Sequence, residues 1–294
     1  MTVTEMAYAK INLYLDVLGR RDDGFHDILS VMHSVDLCDR VVLSADTSDK
    51  TKIKITTNIQ SLPVDEGNIV YRAVRKYLSY FSIDAVVNVT LDKMIPIGAG
   101  LGGGSSDAAA TLRAMNKIFG RADIDQLCLL ASDLGSDVPF CLFGGLYLSG
   151  GRGEKLLRLE KFISDTFVIA IGEERVSTPR AYAELDNKYN NFANRDVDDI
   201  SSMYRNMIAD FANGDGEMVP LYNIFEQVSH LDEIDEIKKI MSKNRAEYTL
   251  MSGSGPSVFG RFVEESDAEV ACGELLDNGF TAFVCHSVYP EVNI

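Results

Sequence analysis

The sequence predicts a two-domain α+β protein, with one domain over residues 1–155 and a second over residues 156–294. Three observations lead there. The first half mixes alternating and helical apolar patterns around a dense glycine run, Gly98–Ser106. A second glycine-rich stretch, Gly144–Gly153, then interrupts the pattern and reads as a boundary. Beyond it the order strand, helix, strand, strand, helix, strand is the split βαβ arrangement of a ferredoxin-like domain.

Element by element, residues 5–18 alternate as a strand. Ala7, Ala9, Ile11, Leu13, Leu15 and Val17 share one face, and Tyr8, Lys10, Asn12, Tyr14 and Asp16 the other. Lys10 and Asn12 therefore point the same way, about 7 Å apart along the strand. The polar GRRDDGFHD that follows is a turn. Asn68 caps a predicted helix to Phe81, with Val70, Ala73, Val74, Tyr77, Leu78 and Phe81 as its apolar stripe. A strand at 85–91 leads into the glycine run, and a helix from Ser105 to Phe119 leaves it. Asp123 and Gln126 form a capping box for a helix that stops at Gly135. In the second half, strands are expected at 166–171, 247–251, 257–263 and 280–288. Helices are expected at 224–243 and from Ser266, and the polar 173–222 is helical in part.

Composition narrows the function. A formal charge of −16 argues against a nucleic-acid partner, which needs a basic face. No stretch approaches about 18 uncharged apolar residues, and the N-terminus lacks a basic start and apolar core, so the expectation is a cytoplasmic protein with no membrane partner. Cys38, Cys128, Cys141, Cys272 and Cys285 are an odd, scattered set without a CxxC pair, which disfavours disulfides and structural zinc.

Three segments can carry chemistry. In IPIGAGLGGGSSDAAA, glycines 98, 100, 102, 103 and 104 let backbone N–H groups converge on an anion, and the next helix aims its N-terminus at the same point. Ser105 and Ser106 add hydroxyls for a phosphate or its metal. Gly104 stands where a Walker A loop needs lysine, the chain reads as helix to Phe119 and again from Asp123 where a Rossmann site needs a second strand tipped by a carboxylate, and HRD and DFG are absent. Any lysine must come from elsewhere in the fold. In LGSDVPF, Asp137 is either an N-cap ahead of Pro139 or a carboxylate that orients a hydroxyl and takes its proton. TLMSGSGPSVFG (249–260) is either a plain hairpin turn or a companion to the first loop.

These three segments, in this order, resemble the motifs of the GHMP small-molecule kinases. YAKINLYLDVLGRRDDGFHDILSV near the start extends the likeness over most of the chain, toward a branch in isoprenoid precursor synthesis. The resemblance implies a ribosomal-protein-S5-domain-2-like ATP domain followed by a ferredoxin-like domain. It implies ATP as co-substrate with Mg2+, and transfer of the γ-phosphoryl to a hydroxyl of a small cytidyl diphosphate molecule. Lys10 and Asp137 match the catalytic pair. Pro96, Ile97, Gly98, Ala99, Gly100, Leu101, Gly102, Gly103, Gly104, Ser105 and Ser106 match the ATP loop, with Lys93 beside the adenine. Asn12, Phe25, His26, Thr178 and Tyr182 match substrate contacts. Metal ligands are not marked; Asp107 and the two serines are the neighbours of the loop. Phe25 stands where the family often has tyrosine, His33 for glutamine and Tyr8 for proline. A monomer or weak homodimer is expected. The alternatives are a kinase of the homoserine or mevalonate type, and a non-catalytic nucleotide-binding regulator, which would be expected to lose Lys10 or Asp137.

Overall fold

The computed structural model describes residues 1–159, 164–174, 177–192 and 221–290. Its first layer is a sheet in the order β3-β4-β2-β1-β8, with β5 on β2 and β6 on β5. Strands β1 (Thr2–Arg20) and β2 (His26–Thr47) form one long antiparallel hairpin that turns at residues 21–25. Strands β3 (Lys52–Thr57), β4 (Ala85–Asp92), β5 (Leu146–Gly150) and β6 (Lys155–Arg158) complete the contribution of the first half. Helices α1 (Ile69–Tyr80), α2 (Gly103–Phe119), α3 (Ile124–Leu134) and α4 (Val138–Phe143) lie against it.

The local signals act as the sequence indicates. The Asn68 side chain accepts from Val70 N and starts α1, whose stripe of Val70, Ala73, Val74, Tyr77 and Leu78 is buried. Asp123 and Gln126 make both bonds of a capping box, and Gly135 ends α3. Strand β1 departs from simple alternation: its register shifts between Tyr8 and Ala9, between Asn12 and Tyr14, and between Val17 and Gly19. Its apolar residues thereby divide among three cores, with Ala7 in the first, Ala9, Ile11 and Leu13 in the central one, and Leu15 and Val17 against the second domain. Between Ala9 and Val17 both faces of β1 are covered, and Lys10 and Asn12 are buried polar residues there.

The second half forms an antiparallel sheet, β11-β7-β10-β9. Its strands are β7 (Thr166–Ile171), β9 (Tyr248–Met251), β10 (Val258–Phe262) and β11 (Thr281–His286). With helices α5 (Thr178–Lys188), α6 (Asp232–Lys243) and α7 (Glu265–Asp277), the ferredoxin-like order is complete. The helix expected over 224–243 is not continuous. A 3-10 turn spans Ile224–Gln227, and α6 begins only at Asp232. The Asn223 side chain caps the short turn at Phe225 N, and Leu231 (φ −89°, ψ 117°) is extended, so the apolar spacing runs across two elements. Part of the expected partial helix in 173–222 is α5; residues 193–220 lie outside the described residues. Strand β8 (Tyr222–Asn223) returns to the first sheet and pairs parallel with β1. No helix among the described residues is long and apolar enough to cross a membrane.

His33, in β2, is fully buried between the rings of Phe167 (6.3 Å) and Tyr289 (5.4 Å). Burial pushes its imidazole from 6.5 down to about 4, so the folded state favours the neutral ring. Its contribution is complete above the unfolded value of 6.5 and is lost as pH falls toward 4. Urea melts at pH 7.5 and 4.5 should show His33→Gln losing about 2–3 kcal/mol less than the parent over that interval. Equal losses in the two proteins would remove His33 as the cause.

Candidate active site

The glycine run is shaped by positive backbone φ at Gly98 (72°), Gly100 (79°) and Gly102 (70°). Gly102 is the N-cap of α2 and offers no side chain, which leaves the first N–H groups of the helix open to an anion. The loop is stitched to β1: Lys10 N donates to Leu101 O (2.9 Å), and Ser106 Oγ to Tyr8 O (2.6 Å). Ser106 is thus engaged inward, while the half-buried Ser105 lines the cleft.

Lys93 does not reach out as a free cation. Its ammonium is buried between Asp39 and Asp107, 2.7 Å from the latter. Asp39 also accepts from Met94 N (2.6 Å) and Ile95 N (2.8 Å), fixing the chain where it enters the loop. Burial raises the Asp107 carboxyl to about 8 against the opposing pull of Lys93. The Asp107 carboxyl is therefore biased toward its protonated form at neutral pH.

Asp137 holds the N-cap position of α4 but makes no capping hydrogen bond. Its carboxylate instead lies 3.7 Å from Lys10 Nζ and is about one-third exposed. Lys10 Nζ also donates to Asn12 Oδ1 (2.6 Å), and its stem runs beneath Gly102, where an added Cβ would come within 2.8 Å of Lys10 Cγ. The 252–257 hairpin closes the same spot. Gly253 N donates to Asn12 Oδ1 (2.9 Å), Ser252 Oγ to Gly100 O (3.2 Å) and Ser257 N to Ala99 O (3.3 Å). It is both a hairpin turn and a companion to the glycine loop. With Asn12 Nδ2 bonded to Ser30 Oγ (2.8 Å), the Asn12 amide faces protein on both sides.

Two clefts meet here. One, of about 400 Å³, runs along the glycine loop and includes Lys93 and residues 96–105. The other, of about 660 Å³, is lined by Lys10, Asn12, Phe25, His26, Asp137, Thr178 and Tyr182. Gly100, Gly102 and Ser105 form a wall common to both.

Models of two domain families match the chain: the GHMP kinases N terminal domain over residues 68–145, and the GHMP kinases C terminal domain over 207–280. A 4-diphosphocytidyl-2-C-methyl-D-erythritol kinase of Lachnospira eligens is 39% identical over 277 residues, covering 92% of each chain. That of Bacillus cytotoxicus is 37% identical and covers 98% of this chain and 96% of its own. The chain belongs to the 4-diphosphocytidyl-2-C-methyl-D-erythritol kinase family. A crystal structure of 4-(cytidine 5'-diphospho)-2C-methyl-D-erythritol kinase superposes with a TM-score of 0.75 at 30% identity, covering 97% of this chain and all of the other. A homoserine kinase from Cytophaga hutchinsonii shares the fold alone, with a TM-score of 0.70 at 20% identity and coverage of 97% and 95%.

As a 4-diphosphocytidyl-2-C-methyl-D-erythritol kinase family member, the protein is an ATP-dependent small-molecule kinase with the two-domain GHMP fold. Its larger cleft gathers further residues that motif reading passed over. His26 Nε2 lies 2.7 Å from Asp186 Oδ1, and the His26 ring stacks on Tyr182 at 4.6 Å. Arg20 approaches the other oxygen of Asp186 at 3.5 Å. The Arg152 guanidinium sits 4.9 Å from the centre of the Phe25 ring. Thr178 Oγ1 lies 2.8 Å from Ser254 Oγ. Two of these carried a signal in the sequence. Asp186 follows Tyr182 by four residues on one helix face, and Arg152 is a lone cation between glycines.

Proposed function

We propose that the protein transfers the γ-phosphoryl of ATP to the 2-hydroxyl of 4-diphosphocytidyl-2-C-methyl-D-erythritol. The observation that carries this reading is the common wall of the two clefts, with Lys10 packed against its Gly102 and Asp137 beside Lys10 in the larger cleft. ATP lies along the smaller cleft, its phosphates on the loop amides and the α2 N-terminus. Asp137 orients the acceptor hydroxyl and takes its proton, and Lys10 stabilises charge on the transferring group. Phe25 and Tyr182 supply aromatic faces for the cytosine, with His26 at its edge. Arg20 and Arg152 bring cations to the diphosphate of the acceptor in an otherwise acidic molecule.

Among the described residues no group of three or more His, Cys, Asp or Glu could cage a metal. Ser106 is bonded to Tyr8 and Asp107 to Lys93, which leaves Ser105 facing both clefts. One hydroxyl suits magnesium, which keeps several waters and is held mainly by substrate phosphates. When bound beside Ser105, it supplies charge neutralisation on the β- and γ-oxygens. Among the described residues no helix is long and apolar enough to cross a membrane, and the acidic charge disfavours a nucleic-acid partner; our reading is a cytoplasmic enzyme, a monomer or weak homodimer, that acts on small molecules.

The test is ADP production with the cytidyl compound, homoserine and mevalonate as acceptors. Turnover with the first alone is expected; turnover with homoserine and none with the cytidyl compound would overturn the substrate. Phe25, 52% exposed, should contribute by stacking. Phe25→Ala is expected to raise KM for the cytidyl compound about 10-fold, with KM for ATP within about twofold.

A further inference from the structure

We infer that Asn223 is a positioning residue for phosphoryl transfer, acting through Gly253 on Asn12 and Lys10. Asn223 lies on β8, opposite Leu15 of β1, and is 2% exposed. Its Nδ2 donates both hydrogens to the hairpin, to Met251 O (2.7 Å) and Gly253 O (2.8 Å). Its Oδ1 accepts from Phe225 N (3.0 Å), so both ends of the amide are engaged. Three residues on, Glu226 Oε1 accepts from Met251 N (2.7 Å) and pairs with Lys238 (2.7 Å).

The Gly253 residue is thereby gripped at both ends. Its carbonyl is held by Asn223 and its N–H by Asn12, whose Oδ1 also receives the Lys10 ammonium. The grip has little slack, because Gly253 (φ 59°) is packed on Gly100: an added Cβ would lie 3.0 Å from Gly100 O. A buried amide engaged at both ends fixes one geometry, and losing it leaves two inward-facing carbonyls without donors. The hairpin then relaxes away from Asn12, which frees the Asn12 oxygen to turn and carries Lys10 off its place beside Asp137.

This inference rests on the proposed reaction and deepens it, so the tests separate the two. Asn223→Ala is expected to lower kcat about 10–100-fold, with both KM values within about threefold. Because Asn223 and Asn12 act through the same residue, Gly253, combining N223A with N12A should cost no more than about threefold beyond the worse single variant. A residue that merely stabilises the fold would give losses that multiply, and that result would overturn the inference, as would N223A turnover within about twofold of the parent.

Hydrogen exchange supplies a readout independent of acceptor. Amides of 250–257 should exchange about 10-fold faster in N223A, with β1 outside residues 10–12 unchanged. Unchanged exchange there refutes the clamp whatever the substrate. If the parent itself fails to phosphorylate the cytidyl compound, the proposed reaction falls while exchange still decides the clamp. Should N223A fail to fold, N223S, which keeps one hydroxyl donor, serves for every measurement.

Discussion

Asp137→Asn should lower kcat by at least about 100-fold while KM for ATP stays within about threefold. The substitution keeps size and shape, and it removes the group proposed to accept the hydroxyl proton. It also removes the anion beside Lys10, 3.7 Å away. Stability should fall only through the loss of that ion pair, because Asp137 makes no capping bond to α4 and is not needed to start that helix. Steady-state kinetics with a melting curve on the same preparation checks both statements. Near-normal turnover would remove Asp137 from the chemistry, and a large fall in melting temperature would show that it is a cap after all.

Gly100→Ala is expected to lower kcat/KM for ATP by at least about 100-fold, far more than Gly98→Ala. Both glycines have positive φ, 79° and 72°, so an alanine at either meets the same left-handed cost of about 1–2 kcal/mol. The surroundings differ. A Cβ on Gly98 meets nothing within 4 Å. One on Gly100 collides with the carbonyl oxygen of Ser252 and lies 3.2 Å from that of Gly255, and neither is a side chain that can swing aside. The cheapest relief is to push the hairpin off the glycine loop, which opens the wall between the two clefts. Gly98→Ala should stay within about 10-fold of the parent. Equal losses in the two variants, measured by initial rates over a range of ATP, would mean that backbone conformation rather than the collision decides.

What could be read in the sequence was local. The Asn68 cap, the 123–126 capping box and the apolar stripe of α1 each depend on residues within a few positions, and each appears as expected. So does the glycine loop at the junction of β4 and α2. The role of Asp137 stayed open because its neighbours, Gly135 and Pro139, suit a cap as well as a reactive carboxylate. Only the absent capping bond and the approach of Lys10 separate the two. Residues 224–243 misled for a related reason. Ile224, Phe225, Val228, Ile234 and Ile237 are spaced for one helix and are all buried, yet they belong to two elements of different kind. Asp186, Arg152 and Asn223 had no local motif strong enough to single them out. Their partners are brought to them by the fold: His26 is 160 residues from Asp186, and Gly253 is 30 from Asn223.

The bond between Asn12 and Gly253 joins residues 241 positions apart. During synthesis the first sheet, the glycine loop and Asp137 all leave the ribosome well before the strand that carries Gly253. A nascent first domain already has the glycine loop, Lys10 and Asp137, yet its Asn12 lacks the bond to Gly253 that completes its setting. Closing so long a loop is entropically costly and waits until the shorter-range pairings have formed. The Asn12–Gly253 bond is therefore among the last contacts the chain acquires.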